Sequence, residues 1–328
     1  ALVFFFFNFN LVKAAMSILI AYVFVFSVIF YTIYRRINFL KEETNTNLTK
    51  QIFNFSWPIM LSSVLYLLLH RIDIFFIGHF LDSSIVGKYS VSSDLSNVLG
   101  ILNAIIIPIF FPVISKLVSG DKIKEAGTIF RKTTKFLTIF TLPLLLVFLL
   151  FNNEIIFYIF GKEYAGSGIF LAILSFASFF ACISGPIGML LKAMNYPKLV
   201  LLNSIVALLI NLVLNYLLIT KFGAVGVAIA TLVSIFTQNY LGILELWLIK
   251  KIKPYDFNLI RPVIMIMLIG ICGFLIKNNL PPTIFYNMLV AGGIISLYGI
   301  YLLIDKKLIN IKFYIQLAQG MMKNGKQK

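Results

Sequence analysis

Nine long apolar stretches run through this chain of 328 residues, and its Lys and Arg residues lie mainly in every second gap between them. Each stretch approaches the roughly 20 residues that a helix needs to cross the hydrocarbon of a bilayer. Of the 28 basic residues, 21 lie in one alternating set of gaps and in the C-terminal tail, against 4 in the other set. Because basic residues near span ends are retained inside, we predict a polytopic, all-α protein of the plasma membrane with a cytoplasmic C-terminus.

Composition supports a membrane protein and argues against two other classes. Hydrophobic residues make up 60% of the chain and charged residues only 12%, whereas soluble domains have roughly half and a quarter. The net charge of +16 is accounted for by lysines at span ends beside an anionic leaflet, so no nucleic-acid partner is predicted. Cys182 and Cys272 lie within apolar stretches as packing residues, and we predict no metal site.

The spans can be bounded from the apolar runs. They are predicted at Leu11–Tyr34, Phe55–Phe80, Ser84–Pro112, Thr134–Phe151, Gly168–Leu191, Leu199–Ile219, Ala224–Trp247, Leu259–Ile276 and Ile284–Ile304. The longest gap without apolar character, Lys41–Gln51, is typical of a cytoplasmic linker between two membrane units.

Charged residues lie deep within two of the spans. Arg71 is roughly 14 Å from the outer end of the second span, where a charge costs about 2.5–3.5 kcal/mol and usually faces a bundle interior or a wet cavity. Arg71 and Asp73 are two residues apart, so they lie on different helix faces and cannot pair. Asp94 of the next span has a similar depth. We therefore predict an Arg71–Asp94 contact, with Asp73 near His70 or another helix. A structural clamp and a substrate or ion site are both open interpretations.

Asparagines form a stripe on the sixth span. Asn203, Asn211 and Asn215 advance by only about 40° per four residues, so they share one helix face. Since bare amides are unfavourable against lipid, this face is predicted to point inward. Hydrogen bonding between helices and contact with a sugar or phosphate are the alternatives, and Gln238 and Asn239 are candidate partners.

Prolines and glycines mark candidate hinges or packing points. Pro108, Pro143 and Pro186 lie inside or at the rims of apolar runs, where proline removes a backbone donor and tends to kink a helix. Gly223 and Gly226 favour close helix packing, and the sequence around them does not match the motif of a nucleotide-binding loop.

The sequence gives no sign of catalysis. The longest outer loop, Asn152–Ser167, offers only Glu154 and Glu163, which is little for acid–base chemistry. We predict that the protein is not an enzyme, although a membrane glycan polymerase or ligase remains a low-ranked alternative.

An ordered set of short motifs resembles one known group. These are Arg71-Ile72-Asp73 with Gly78, Gly87 and Tyr89-Ser90; Phe160-Gly161 with Glu163-Tyr164-Ala165; Ser184-Gly185-Pro186 with Gly188 and Pro197-Lys198; Asn203, Asn211 and Asn215; and Gly223, Gly226, Ala228 and Ala230-Thr231. Together, from Phe55 to Trp247, they resemble the polysaccharide-biosynthesis flippases, the Wzx-type O-antigen (lipopolysaccharide) transporters of the multidrug/oligosaccharidyl-lipid/polysaccharide (MOP) superfamily. No single motif is diagnostic.

The resemblance implies a domain organisation. Such transporters have two six-helix lobes, often followed by two accessory helices. Residues 1–34 would then be the last helix of a first lobe, 35–54 a linker, 55–250 the second lobe, 259–304 the accessory helices and 305–328 a basic cytoplasmic tail. About five helices of the first lobe would be missing.

The resemblance also implies a mechanism and partners. Alternating access would move a polyprenyl-pyrophosphate-linked oligosaccharide between leaflets, with membrane lipids and glycan-assembly proteins as further partners. Arg71, Asp73, Asp94, Asn211 and Asn215 become candidates for the substrate cavity. No cofactor is expected, and a coupling ion would be H⁺ or Na⁺. The main alternative is a cation-coupled exporter of drugs or organic cations, which would need an acidic cavity.

Overall fold

A computed structural model describes residues 11–36, 46–255, 259–281 and 283–305, and within these residues every regular element is helical. The all-α prediction is confirmed. The α-helices are α1 (Leu11–Arg36), α2 (Thr46–Phe80), α3 (Ser83–Ser96), α4 (Ile101–Ser119), α5 (Ile123–Leu150), α6 (Asn152–Phe160), α7 (Gly168–Ile183), α8 (Ile187–Ala193), α9 (Pro197–Lys250), α10 (Ile260–Asn279) and α11 (Ile284–Ile304). Short 3₁₀ turns cover Asn97–Gly100 and Lys162–Tyr164.

The chain divides into two compact units, Ala1–Gln51 and Ile52–Lys328. The first unit contains α1, whose apolar side chains from Met16 to Tyr34 are almost all exposed. Helix α2 begins at Thr46, within the segment predicted as linker. Residues 37–45 of that linker and 306–328 of the predicted tail lie outside the described residues.

Hydropathy and length agree with the predicted spans. In the described part of the chain, eight helical stretches are long and apolar enough to cross a membrane. The stretch Pro197–Lys250 accounts for two of the nine predicted spans, since it contains a reversal at Gly223.

Gly223 turns α9 back on itself. Its backbone angles, φ 56° and ψ −141°, are non-helical and strongly favour glycine. The amide of Asn203 donates to Glu245 at 2.8 Å, although 42 residues separate them. We call residues 197–222 the first arm and residues 224–250 the second arm of this hairpin.

The second unit is built around α7, which packs against α3, α5, α6 and α9. Antiparallel helices bring Lys192, Lys198 and Lys250 to one end, which we call the lysine-rich end; there Arg131 donates to the carbonyl of Lys253 at 3.3 Å. The turns after α2 and at Gly223 lie at the opposite, far end, because Gly223 is adjacent to Leu81.

The predicted proline sites differ in what they do. Pro108 and Pro143 lie inside α4 and α5, which continue through them. Pro186 instead lies between α7 and α8, directly after Gly185 with its φ of +68°. Thr134 of α5 packs so closely on Gly185 that a Cβ there would clash with it, which fixes the break between α7 and α8.

An ion pair anchors α10 to the far end of the unit. Lys277 pairs with Glu154 at 2.6 Å, with about a quarter or less of each side chain exposed. It also donates to the carbonyl of Leu150 and lies over the Phe151 ring, 4.8 Å from its centroid. Partial burial and several partners make this pair stronger than a surface pair.

Removing the Lys277 ammonium is expected to loosen α10 and α11 from the unit. The variant Lys277→Met leaves Glu154 half-buried without its cation, so the melting temperature in detergent should fall by several degrees. Lys122→Met is the matched control, because Lys122 pairs with Glu125 at 3.5 Å in a mostly exposed setting and should melt like the parent. Equal melting temperatures for both variants would contradict the anchoring role.

Candidate ion and substrate site

Asp73 lies on the face of α2 that packs into the second unit. The buried residues of this helix are Pro58, Ser62, Leu69, Asp73 and Ile77, a spacing of four or seven that forms one stripe. Leu69 and Ile77 lie one turn before and one turn after Asp73 on this stripe. Asp73 is therefore buried as they are, with only 3% of the residue exposed. A buried carboxylate requires hydrogen-bond partners.

Three side chains from two other helices donate to Asp73. The hydroxyl of Tyr89 on α3 donates to Oδ2 at 2.6 Å, and the hydroxyl of Thr231 on the second arm of α9 donates to the same oxygen. The amide of Asn215 on the first arm donates to Oδ1 at 3.1 Å. The predicted proximity of Asp73 to another helix is confirmed, and the carboxylate joins α2, α3 and both arms of α9.

A second layer completes this cluster. The Asn215 amide also donates to Oδ1 of Asn211 at 2.9 Å, and Asn211 makes a long contact of 3.5 Å to the Thr231 hydroxyl. Tyr89, Asn211, Asn215 and Thr231 are all buried. We call these four residues and Asp73 the Asp73 cluster.

The Asp73 cluster has one unsatisfied acceptor. Oδ1 of Asn215 is buried and has no hydrogen-bond partner among the described residues. A buried amide oxygen without a donor can accept a hydrogen bond or coordinate a hard cation, and the neighbouring Asp73 carboxylate can take up a proton. Asp73, Asn211 and Thr231 offer carboxylate, amide and hydroxyl oxygens of the kind that bind a small monovalent cation, whereas Asn215 turns its amide nitrogen toward Asp73 and Asn211.

The predicted Arg71–Asp94 pair is wrong. Both side chains are exposed, and the ion pairs among the described residues are Lys122–Glu125 and Lys277–Glu154. Arg71 lies about 200° around the helix from Asp73. Since Asp73 points into the unit, Arg71 points away from it.

The asparagine stripe faces inward as predicted, but its partners differ from those expected. Asn203, Asn211 and Asn215 are buried. Asn203 bonds Glu245, whereas Gln238 donates to Ser204 at 3.0 Å and Asn239 to the backbone of its own helix. Gln238 and Asn239 therefore do not pair with the stripe; they border a cavity instead.

This cavity, about 580 Å³ in volume, lies nearer the lysine-rich end than Asp73 does. It is of the size that small-ligand sites have. Its polar lining includes five amide side chains, from Asn97, Asn103, Asn203, Gln238 and Asn239. We call it the amide cavity.

The other polar groups in the lining are neutral or basic. Hydroxyls come from Ser62, Ser63, Tyr66, Ser178 and Ser204. Lys192 supplies a cation and His70 an imidazole, and the His70 ring packs edge-on to Tyr66 with centroids 4.4 Å apart. None of the described residues that line the cavity is Asp or Glu.

Asn103 offers a free acceptor at this cavity. Its Oδ1 atom is buried without a hydrogen-bond partner among the described residues. Buried acceptors are normally paired, so this atom is suited to a ligand hydroxyl or an ordered water. The amide cavity can therefore hold a neutral or anionic polar group, and its lining disfavours an organic cation.

Sequence reasoning missed two members of the Asp73 cluster as site residues, Tyr89 and Thr231. A signal existed in each case. Asp73 and Tyr89 are equally distant from the turn at Leu81, and Asn215 and Thr231 are equally distant from Gly223. In an antiparallel helix pair such positions lie at one depth, so the turns predict both partners once they are located.

Comparison with known proteins agrees with this architecture. A family profile described as "Polysaccharide biosynthesis protein" matches residues 3–169, overlapping the region Phe55–Trp247 of the resemblance. A solved MOP superfamily transporter from Pyrococcus furiosus superposes with a TM-score of 0.53 at 15% identity, over 72% of this chain and 56% of that one. At that identity the likeness concerns the fold.

Two curated relatives match at similar identity. The "Probable low-salt glycan biosynthesis flippase Agl15" of Haloferax volcanii is 27% identical over 62% of this chain and 43% of its own length. The "Capsular polysaccharide biosynthesis protein CapF" of Staphylococcus aureus is 27% identical over 70% of this chain and 59% of its own. The chain thus spans about half the length of the curated relatives that it matches. Since the profile covers half of the chain, the protein belongs to the polysaccharide biosynthesis protein family and has the fold of a MOP superfamily membrane transporter.

Proposed function

We propose that this protein is part of a flippase that moves lipid-linked oligosaccharide or polysaccharide repeat units from the cytoplasmic to the outer leaflet. The observation that carries the proposal is the amide cavity. Its five amides, its hydroxyls and Lys192, without a lining carboxylate among the described residues, suit a sugar or sugar phosphate. The named glycan flippase among the relatives supports the same class of substrate.

In this proposal the lysine-rich end faces the cytoplasm, because basic residues at span ends are retained there. The amide cavity then opens toward the leaflet in which lipid-linked sugars are assembled. A polyprenyl pyrophosphate carries its charge at the headgroup, which Lys192 can attract, while the polyprenyl chain stays in lipid. We propose glycan-assembly proteins as further partners, acting before and after the transport step.

We further propose that the Asp73 cluster holds the coupling cation, H⁺ or Na⁺. Intramembrane carboxylates commonly mark ion paths. The cluster joins α2 to both arms of α9, so binding or release of a cation at Asp73 alters contacts between helices. Such differential contacts are what alternating access requires.

The chain in this proposal supplies the second lobe and the two accessory helices of a two-lobe transporter. Residues 1–34 would be the last helix of the first lobe, 35–54 the linker, 55–250 the second lobe and 259–304 the accessory helices. Arg71 and Asp94 are exposed and are candidates for the surface that the second lobe presents to the first. Rocking of the lobes would give alternating access.

Deleting the gene in its host tests the substrate class. Loss of the protein should abolish a surface glycan and leave its lipid-linked precursor on the cytoplasmic leaflet. Complementation with Asn103→Leu should restore the glycan poorly, at least about tenfold below the parent, because a buried polar contact to the substrate is lost. Asn279→Leu, an exposed asparagine at the far end of α10, is the matched control and should complement fully.

The second candidate function, a cation-coupled exporter of organic cations, is favoured only by Asp73. That carboxylate is occupied by three donors and does not line the amide cavity. If deletion leaves the glycan intact and sensitises cells to cationic dyes, this function replaces the first.

A further inference from the structure

We propose that the coupling cation exchanges between Asp73 and the lysine-rich end through the amide cavity and a narrow neck formed by His70, Asn97, Ser178 and Ile235. The inference rests on the cation role proposed for the Asp73 cluster and adds the path by which the cation enters or leaves. It assigns the amide cavity a second task, as the vestibule of the ion site.

A second, much smaller cavity lies between the two sites. Its volume is about 10 Å³, and Asp73 and Thr231 of the Asp73 cluster line it together with Ser93 and Ser96. The four neck residues line both this cavity and the amide cavity. The small cavity therefore lies between the amide cavity and the Asp73 carboxylate.

The size and lining of the small cavity define what can pass. About 10 Å³ is close to the space for one water molecule, and polar walls can hold such a water. A proton can cross by way of one water, and a Na⁺ ion can cross only after losing most of its hydration shell. The neck thus excludes hydrated ions and the substrate itself, and passes a proton or a bare small cation.

His70 is placed to govern this passage. It lies three residues before Asp73 on α2, nearly one turn toward the lysine-rich end, and its ring packs on Tyr66 at the amide cavity. Besides His70, the titratable side chains among the described residues that line the two cavities are Tyr66, Cys182 and Lys192 of the amide cavity and Asp73 of the small cavity. Tyr89 faces Asp73 from α3.

The far side of Asp73 is packed with apolar side chains. Ile77, Phe170, Ile219 and Val227 form one buried cluster with the Tyr89 ring. An ion has no favourable partners in such a cluster. The side toward the lysine-rich end is therefore the accessible side of Asp73 in this structure.

The route can be tested with a single cysteine in the neck. The protein is expressed in host membranes with Cys182→Ala and Cys272→Ser, and Ser178→Cys is introduced. A charged, membrane-impermeant methanethiosulfonate is applied to vesicles of each orientation. Lys198→Cys reports the lysine-rich face, and Phe176→Cys, on the same helix but outside the cavity lining, is the matched control.

We expect the cysteine at position 178 to be modified from the same face as the one at 198, and the cysteine at 176 to stay unmodified. The adduct forms in folded protein, so it plugs the neck without a folding defect. In purified protein it should slow the exchange of radioactive Na⁺, or of protons followed with a pH dye, at least about tenfold while leaving equilibrium binding unchanged.

Two results would overturn the route. One is modification at position 178 only from the far face or from neither face; the other is exchange at the unmodified speed after full modification. Asp73→Asn separates this failure from failure of the ion site. If Asp73→Asn binds neither cation but the adduct has no effect on exchange, the route alone is wrong; if Asp73→Asn binds like the parent, the cation role itself is wrong and the route falls with it.

Discussion

Replacing Asp73 with asparagine is expected to reduce glycan export at least about tenfold while the protein still folds and reaches the membrane. Asparagine keeps one acceptor oxygen for Tyr89 and Thr231, but it cannot take up a proton or balance the charge of a cation at pH 7. A coupling free energy of about 1–3 kcal/mol between the cation and the substrate corresponds to a roughly 5–150-fold change in substrate affinity. Surface glycan in complemented deletion cells, normalised to membrane protein, measures the effect.

Asp73→Leu should have a different outcome, because it removes every acceptor. Tyr89 and Asn215 would each keep a buried donor hydrogen without a partner, at about 1–3 kcal/mol apiece, whereas the Thr231 hydroxyl retains the Val227 carbonyl as acceptor at 3.2 Å. We expect little folded protein. Asp82→Asn is the matched control, since Asp82 is an exposed carboxylate at the far end and its loss should leave both export and folding unchanged. Export at parental levels with Asp73→Asn would contradict the coupling role.

Replacing Gly226 with alanine is expected to spread the two arms of the α9 hairpin. A Cβ at this position would lie 2.5 Å from the carbonyl oxygen of Leu218, a backbone atom that cannot rotate away. The arms must separate, which weakens the contacts of Asn211 and Asn215 with Thr231 and Asp73. Overpacking of this kind costs about 1–3 kcal/mol, and thermal unfolding in detergent should begin several degrees lower.

Gly292→Ala is the control for the Gly226 substitution. A Cβ at Gly292 in the middle of α11 has no neighbouring atom within 4 Å, and alanine favours the helix over glycine. This variant should be as stable as the parent or slightly more stable. If Gly226→Ala unfolds at the same temperature as Gly292→Ala, the close packing of the hairpin arms does not stabilise the folded protein.

Much of the fold could be predicted because it depends on features that local sequence carries. Apolar runs of membrane-spanning length and alternating basic gaps locate the spans, and the reversal at Gly223 falls in the gap between two of them. The 40° drift of Asn203, Asn211 and Asn215 predicts a shared inward face, which the structure confirms. These inferences need only helix periodicity.

The Arg71–Asp94 prediction failed because depth alone was used. Matching depth does not fix the direction in which a side chain points, and the buried stripe of Leu69, Asp73 and Ile77 places Arg71 on the opposite side of α2. The spacing of apolar residues in the sequence predicts that stripe. Cavities are harder, because the space beside Asn103 depends on how α2, α4, α7, α8 and α9 pack, and no local pattern encodes it.

The most direct test of the central claim is a flipping assay in proteoliposomes that contain the purified protein and a fluorescent lipid-linked oligosaccharide. We predict that the parent protein moves the lipid faster when a Na⁺ or proton gradient is imposed. Flipping by Asp73→Asn should be slow and the same with or without a gradient. Parental flipping that is unchanged by either gradient, or equal gradient dependence in Asp73→Asn, would contradict the assignment of the Asp73 cluster as the coupling site.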